Sequence, residues 1–134
     1  MRKNYLLLPL FLGLLCIVSC NLYIMKLSHD DVELDGNAQT FTIRANHMVM
    51  LISIHKPKYT GDNPEQQYGP FFDDEKPMMY CKGDWFRVEV SKEEGDRNIK
   101  VILDENRTGE TRWLEINATY NEDGANCLIT QKSL

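Results

Sequence analysis

The 134-residue chain carries 15 Lys and Arg against 20 Asp and Glu, with 43% hydrophobic residues, eight glycines and five prolines. Such a length bounds it to one domain, and the composition excludes collagen-like and wholly disordered classes. The acidic balance argues against a nucleic-acid surface, which needs clustered cations.

The chain opens with Arg2 and Lys3, then an unbroken apolar run over residues 5–18. That run is about 14 residues, short of the roughly 20 a membrane-spanning helix needs. A basic start, a short apolar run and small closing residues predict a secretory signal peptide over 1–19. It closes on Ile17-Val18-Ser19-Cys20, which resembles the bacterial lipobox, with Ile17 in place of the commoner Leu. The resemblance implies cleavage before Cys20 and lipidation of its thiol, with diacylglycerol and a further acyl chain such as palmitate. Two or more chains anchor stably where one does not. The expected location is therefore the cell envelope, lipid-anchored in the outer membrane. Acidic residues after the lipidated cysteine would resemble a surface-export signal, and 21–26 lacks them, which favours the periplasmic face without deciding it.

Past the leader, 20–30 is expected as a short tether and 31–134 as the folded domain. Hydrophobic residues there recur with period two, not 3.6. Val32 and Leu34 alternate with acids; Gly36-Asn37 marks a turn. Residues 39–45 turn Phe41 and Ile43 inward. Residues 48–54 form a nearly continuous apolar run, as in a strand covered on both faces. Residues 85–90, 98–103, 112–118 and 126–131 alternate again, separated by polar turns at 93–96, 106–110 and 121–124. Short alternating strands at regular spacing predict an all-β fold, an immunoglobulin-like antiparallel β-sandwich of about seven to eight strands. Trp85 is expected in its core.

Residues 55–80 break the pattern. They hold Pro57, Pro64, Pro70 and Pro77 beside Tyr59, Tyr68, Phe71, Phe72 and Tyr80. Prolines exclude a central strand, and aromatics argue against simple disorder. A long inserted loop is expected. Long loops in compact domains are commonly functional.

Catalytic chemistry finds little support. Asp73-Asp74-Glu75 and Glu93-Glu94 are turn-like acidic runs rather than carboxylates paired across a cleft. His29, His47 and His55 stand in no nucleophile motif. No CxxC or HExxH spacing occurs, and the acidic turn over 62–65 lacks a calcium-loop pattern. No metal, no cofactor and no enzyme activity are expected. Cys81 and Cys127 allow a single disulfide in an exported protein, or else two buried thiols. Tyr59, Tyr68, Phe71 and Phe72, beside Asn63, Gln66 and Gln67, offer what a sugar needs: rings for its apolar face and planar polar groups for its hydroxyls. Trp113, with Ile102, is expected as an outward apolar spot. The alternative is that the 55–80 aromatics fold down as a satellite core.

The order Trp85-Phe86-x-Val88, Ile99-x-Val101, Asn106, Arg112, Ile116 and Ile129-Thr130-Gln131 resembles the BACON domain, a Bacteroidetes-associated, carbohydrate-linked module. The similarity covers roughly 27–54 and 81–132. It implies an immunoglobulin-like sandwich and glycan or mucin binding, on a small stand-alone lipoprotein in which the 55–80 insertion is longer than the family's usual connection. The competing expectation is a structural or protein–protein subunit of an envelope complex that binds no sugar. The partners expected are thus the membrane, through the lipid, and a glycan or envelope protein.

Overall fold

The computed structural model describes residues 24–58 and 68–134, backbone only over 56–58. The signal peptide, Cys20, Tyr59 and the turn at 62–65 lie outside the described residues. Among the described residues nine strands form: β1 (Asp31–Leu34), β2 (Gln39–Arg44), β3 (Leu51–Lys58), β4 (Phe71–Phe72), β5 (Met78–Lys82), β6 (Phe86–Ser91), β7 (Asn98–Leu103), β8 (Arg112–Tyr120) and β9 (Asp123–Gln131). They make a four-stranded sheet, ordered β1-β9-β8-β3, and a five-stranded sheet, ordered β2-β7-β6-β5-β4. The fold is all-β, an immunoglobulin-like sandwich.

Period-two alternation sets the faces. In β6, Phe86, Val88 and Val90 are buried while Arg87, Glu89 and Ser91 stay half-exposed. Ile99, Val101 and Leu103 of β7 join them. Leu114, Ile116 and Ala118 of β8, with Cys127 and Ile129 of β9, come from the other sheet. Alternate Cβ atoms share one side of a strand, so these rows meet as the interior of a two-layer sandwich. Burying one such Val, Ile or Leu contributes about 1.5–3 kcal/mol, more than an exposed ion pair supplies. Trp85 is buried as expected and meets Phe86 edge-on, with ring centroids 5.2 Å apart.

Four expectations need correction. First, the sandwich is not wholly antiparallel. β1 runs parallel to β9, from Asp31 opposite Leu128 to Leu34 opposite Gln131. The chain first bridges Leu27 to Ala45 beside the five-stranded sheet, then crosses into the other sheet along β9. Second, residues from 24 on are not a free tether. Met25 is buried, and Ser28 N donates to Arg44 O at 2.8 Å.

Third, the 48–54 run is covered on one side only. Val49 and Ile52 are buried, but Met48 and Met50 are exposed in the β2–β3 connection and Leu51 is exposed at the start of β3, on the sheet face that no further layer covers. Fourth, 55–80 is not one loop. β3 continues to Lys58, and β4 and β5 form within or against it. Pro57 falls where the β3–β8 register slips between His55 and Lys58, an edge irregularity where a missing N–H is tolerated.

Chain direction places the connections. The ends of β2, β6 and β8 and the starts of β3, β7 and β9 lie at one end, together with residues 24–28. The β1–β2, β5–β6 and β7–β8 connections lie at the other end.

Candidate functional site on the five-stranded sheet

The outer face of the five-stranded sheet carries an aromatic and polar row. Phe71 of β4 lies opposite Tyr80 of β5, Tyr80 opposite Glu89 of β6, Glu89 opposite Lys100 of β7, and Lys100 opposite Thr42 of β2. Strict alternation puts all five side chains on one face. The Phe71 and Tyr80 rings are tilted at 39° with centroids 5.5 Å apart. The Arg87 guanidinium lies 4.1 Å above the Tyr80 ring, and its Nε donates to Glu89 Oε1 at 2.5 Å. Lys100 Nζ lies 3.9 Å from Glu89 Oε2. These partly exposed ions fix side-chain directions more than they stabilise the fold.

Beyond the rings the face dips into an open depression of about 480 Å³, lined by Thr42, Met78, Glu89, Ser91, Asp96, Asn98 and Lys100. It presents two carboxylates, an ammonium, hydroxyls and an amide beside a partly exposed aromatic pair. That set suits a flat, hydroxyl-rich ligand: ring on ring, with planar polar groups taking the hydroxyls.

The residues named from sequence do not converge here. Phe71 is 39% exposed and belongs to the row. Phe72, 62% exposed, pairs with Met79 and therefore projects from the opposite side of the same edge strand. Tyr68 folds toward the interior, its ring 5.6 Å from Phe86 and its carbonyl accepting from Lys82 N at 2.8 Å. Trp113 is on β8, half-buried on the outer face of the four-stranded sheet. Ile102 belongs to the other sheet, so the two cannot form one spot. Tyr80, Arg87, Glu89, Lys100 and Thr42 were not singled out as ligand contacts; alternation made the outward register of the last four readable, while Tyr80 fell in the expected loop.

Cys81 and Cys127 form no bridge. Both are buried free thiols, one on β5 and the other on β9 of the opposing sheet. Cys81 donates to Ile52 O at 3.7 Å, and burial pushes both thiols up to about 11. Among the described residues no group of three His, Cys, Asp or Glu side chains is placed to hold a metal. Two Ser–His hydrogen bonds occur, Ser28 with His29 at 2.9 Å and Ser53 with His55 at 3.0 Å. Both are exposed, and a nucleophile also needs a third group to orient its base.

No family model matches the sequence, and no curated protein matches it. Solved structures share the fold. An NMR structure of a protein from Bacteroides thetaiotaomicron superposes with a TM-score of 0.53 at 15% identity, over 83% of this chain and 88% of that one. The Bacteroides ovatus GH5 xyloglucanase in complex with a XXXG heptasaccharide gives 0.51 at 10% identity, over 82% of this chain. The match spans only 19% of that enzyme, one part of a much longer chain. Both likenesses are in fold alone.

Proposed function

We propose that the protein is a non-catalytic, BACON-like lipoprotein of the cell envelope that binds a glycan on the outer face of its five-stranded sheet. The observation that carries this reading is the register row from Phe71 through Tyr80 to Glu89, Lys100 and Thr42. A half-exposed aromatic pair next to fixed donors and acceptors complements a sugar ring, and the open depression admits a chain rather than a single enclosed residue. Export and a lipid at Cys20 follow from the leader sequence and set the protein where envelope and environmental glycans occur.

A second reading is a protein-binding envelope subunit. It is favoured by β4, a two-residue edge strand from which Phe72 projects. Such an edge offers unpaired backbone groups to a partner strand.

Glycan arrays followed by calorimetry separate the two. Under the first reading at least one glycan binds, and Phe71→Ala or Tyr80→Ala weakens it about tenfold, equivalent to ~1.4 kcal/mol. Trp113→Ala, on the other sheet, leaves it unchanged. A chain that binds no sugar, but loses a partner protein on Phe72→Ala, supports the second reading.

A further inference from the structure

We propose that the end of the sandwich built by residues 24–28, 44–51 and 92–97 rests on the phospholipid surface that holds the anchor. This placement deepens the lipid-anchor reading of Cys20 and rests on it. Ile24 lies four positions beyond Cys20, and an extended chain of that length spans at most about 14 Å. Ile24 is not free to swing. Its carbonyl accepts from Asn46 Nδ2 at 2.8 Å, Met25 N donates to Asp123, and Lys26 N donates to Asn46 Oδ1 at 2.7 Å. An anchor so close to a pinned residue brings this end, and not the opposite one, against the bilayer.

The chemistry of that end fits the placement. Ile24, Met48, Met50 and Leu51 are 41%, 39%, 47% and 41% exposed, large apolar side chains gathered where β2 hands over to β3. Beside them a depression of about 360 Å³ is lined by Lys26, Arg44 and Arg97, which form no ion pair among the described residues. Arg97 Nη1 donates to Asn46 O at 2.8 Å, tying the β6–β7 connection to the same loop. Lys92 Nζ donates to the carbonyls of Val49 and Met50 at 3.2 and 2.5 Å, which braces the Met50 turn.

Apolar side chains flanked by unpaired cations match the layering of a bilayer surface, acyl boundary below and phosphodiester groups above. Glu93, Glu94, Asp96, Glu122 and Asp123 lie at the same end, so its overall charge does not attract anionic lipid by itself. The acyl anchor supplies proximity, and the three cations and four apolar groups supply orientation. The β1–β2 and β7–β8 connections then point away from the membrane.

The test uses the full-length acylated protein in vesicles of phosphatidylethanolamine and phosphatidylglycerol. A polarity-sensitive fluorophore is placed through Met50→Cys in one sample and through Ala38→Cys, at the opposite end, in another. Cys81 and Cys127 are buried and stay unlabelled in the native protein. The expected result is a blue-shifted Met50 probe, quenched by brominated lipid, beside an Ala38 probe that is neither. Lys26→Gln, Arg44→Gln and Arg97→Gln together reduce that quenching about threefold while acylation persists. Intact-mass measurement reads acylation of Cys20 separately. An unacylated chain overturns the anchor and this placement together. An acylated chain whose Met50 probe is as wet as the Ala38 probe overturns the placement alone. Reversal of the blue shift by inorganic phosphate overturns it in favour of a free-anion site.

Discussion

The guanidinium of Arg112 lies over the indole of Trp85, 4.3 Å from the ring centroid. Its Nε donates to Gln131 Oε1 at 2.9 Å and its Nη2 to Asp104 O at 2.6 Å. Gln131 Nε2 in turn donates to the carbonyls of Asn37 and Asp104 at 2.9 and 3.1 Å. One buried cation thus ties the start of β8, the end of β9 and the connections after β1 and β7 to the core tryptophan. Truncation leaves buried acceptors without their donor. Arg112→Ala should therefore lower stability by about 3 kcal/mol, with Arg112→Lys recovering only part because it lacks the planar fork. Urea unfolding followed by tryptophan fluorescence measures it; a loss under about 0.5 kcal/mol contradicts this role.

Asn106 organises the same end of the molecule. Its Nδ2 lies 2.8, 3.2 and 3.1 Å from the carbonyls of Glu110, Gln131 and Lys132, and its Oδ1 accepts from Thr108 Oγ1 at 2.7 Å. Asn106→Ala should cost about 2 kcal/mol. Asn106→Asp should cost more, because it turns an oxygen toward three carbonyl oxygens. Calorimetric melting should rank the two in that order, and a more stable Asp variant would refute the assignment.

Gly36 sits where no side chain fits. A Cβ there would lie 2.4 Å from Leu134 N and 2.8 Å from the Ser133 carbonyl carbon. Its carbonyl accepts from Asn106 N at 2.7 Å, and Leu134 N donates to Asn106 O at 2.9 Å, so the C-terminal segment is held against it. Gly36→Ala should push that segment off and cost roughly 1–3 kcal/mol. Amide exchange should then quicken at Leu134 and Asn106; unchanged protection at both would contradict the close approach.

Burial raises the Cys81 and Cys127 thiols from 9.0 to about 11. The folded state holds these protons more tightly than the unfolded chain. Their contribution to stability is complete below pH 9 and disappears as pH rises toward 11. Chemical denaturation should show stability falling across that window. Substituting both by Ala should flatten this part of the fall while creating small cavities. At pH 8 a disulfide reagent should modify neither thiol until the protein unfolds; rapid native labelling would place them at the surface.

Much of the architecture was legible in sequence. Alternation located β1, β2, β6, β7, β8 and β9 and the inward side of each, because a pleated strand forces every second side chain onto one face. The habit of sandwiches to bury a tryptophan between their sheets made Trp85 a core residue. Asn106, Arg112 and Gln131, singled out from their order in the sequence, are buried polar side chains joined in one network. Gly36 was readable as a turn, yet its constraint comes from Leu134, at the far end of the chain.

Local pattern did not decide which strand lies beside which. The apolar run at 48–54 looks the same whether one or two layers cover it, and only the two-layer architecture leaves Met48, Met50 and Leu51 exposed. The aromatics of 55–80 are adjacent in sequence, but a two-residue strand sends Phe71 and Phe72 to opposite faces, and Tyr68 turns inward. Cys81 and Cys127 are free buried thiols on facing sheets, whereas the sequence left both a bridge and two thiols open. Sequence alone determined the six alternating strands and their inner and outer sides, because both follow from period and burial along a few residues. Tertiary pairing decided the row from Phe71 to Thr42, since that row joins five separate strands through register set by contacts distant in the chain.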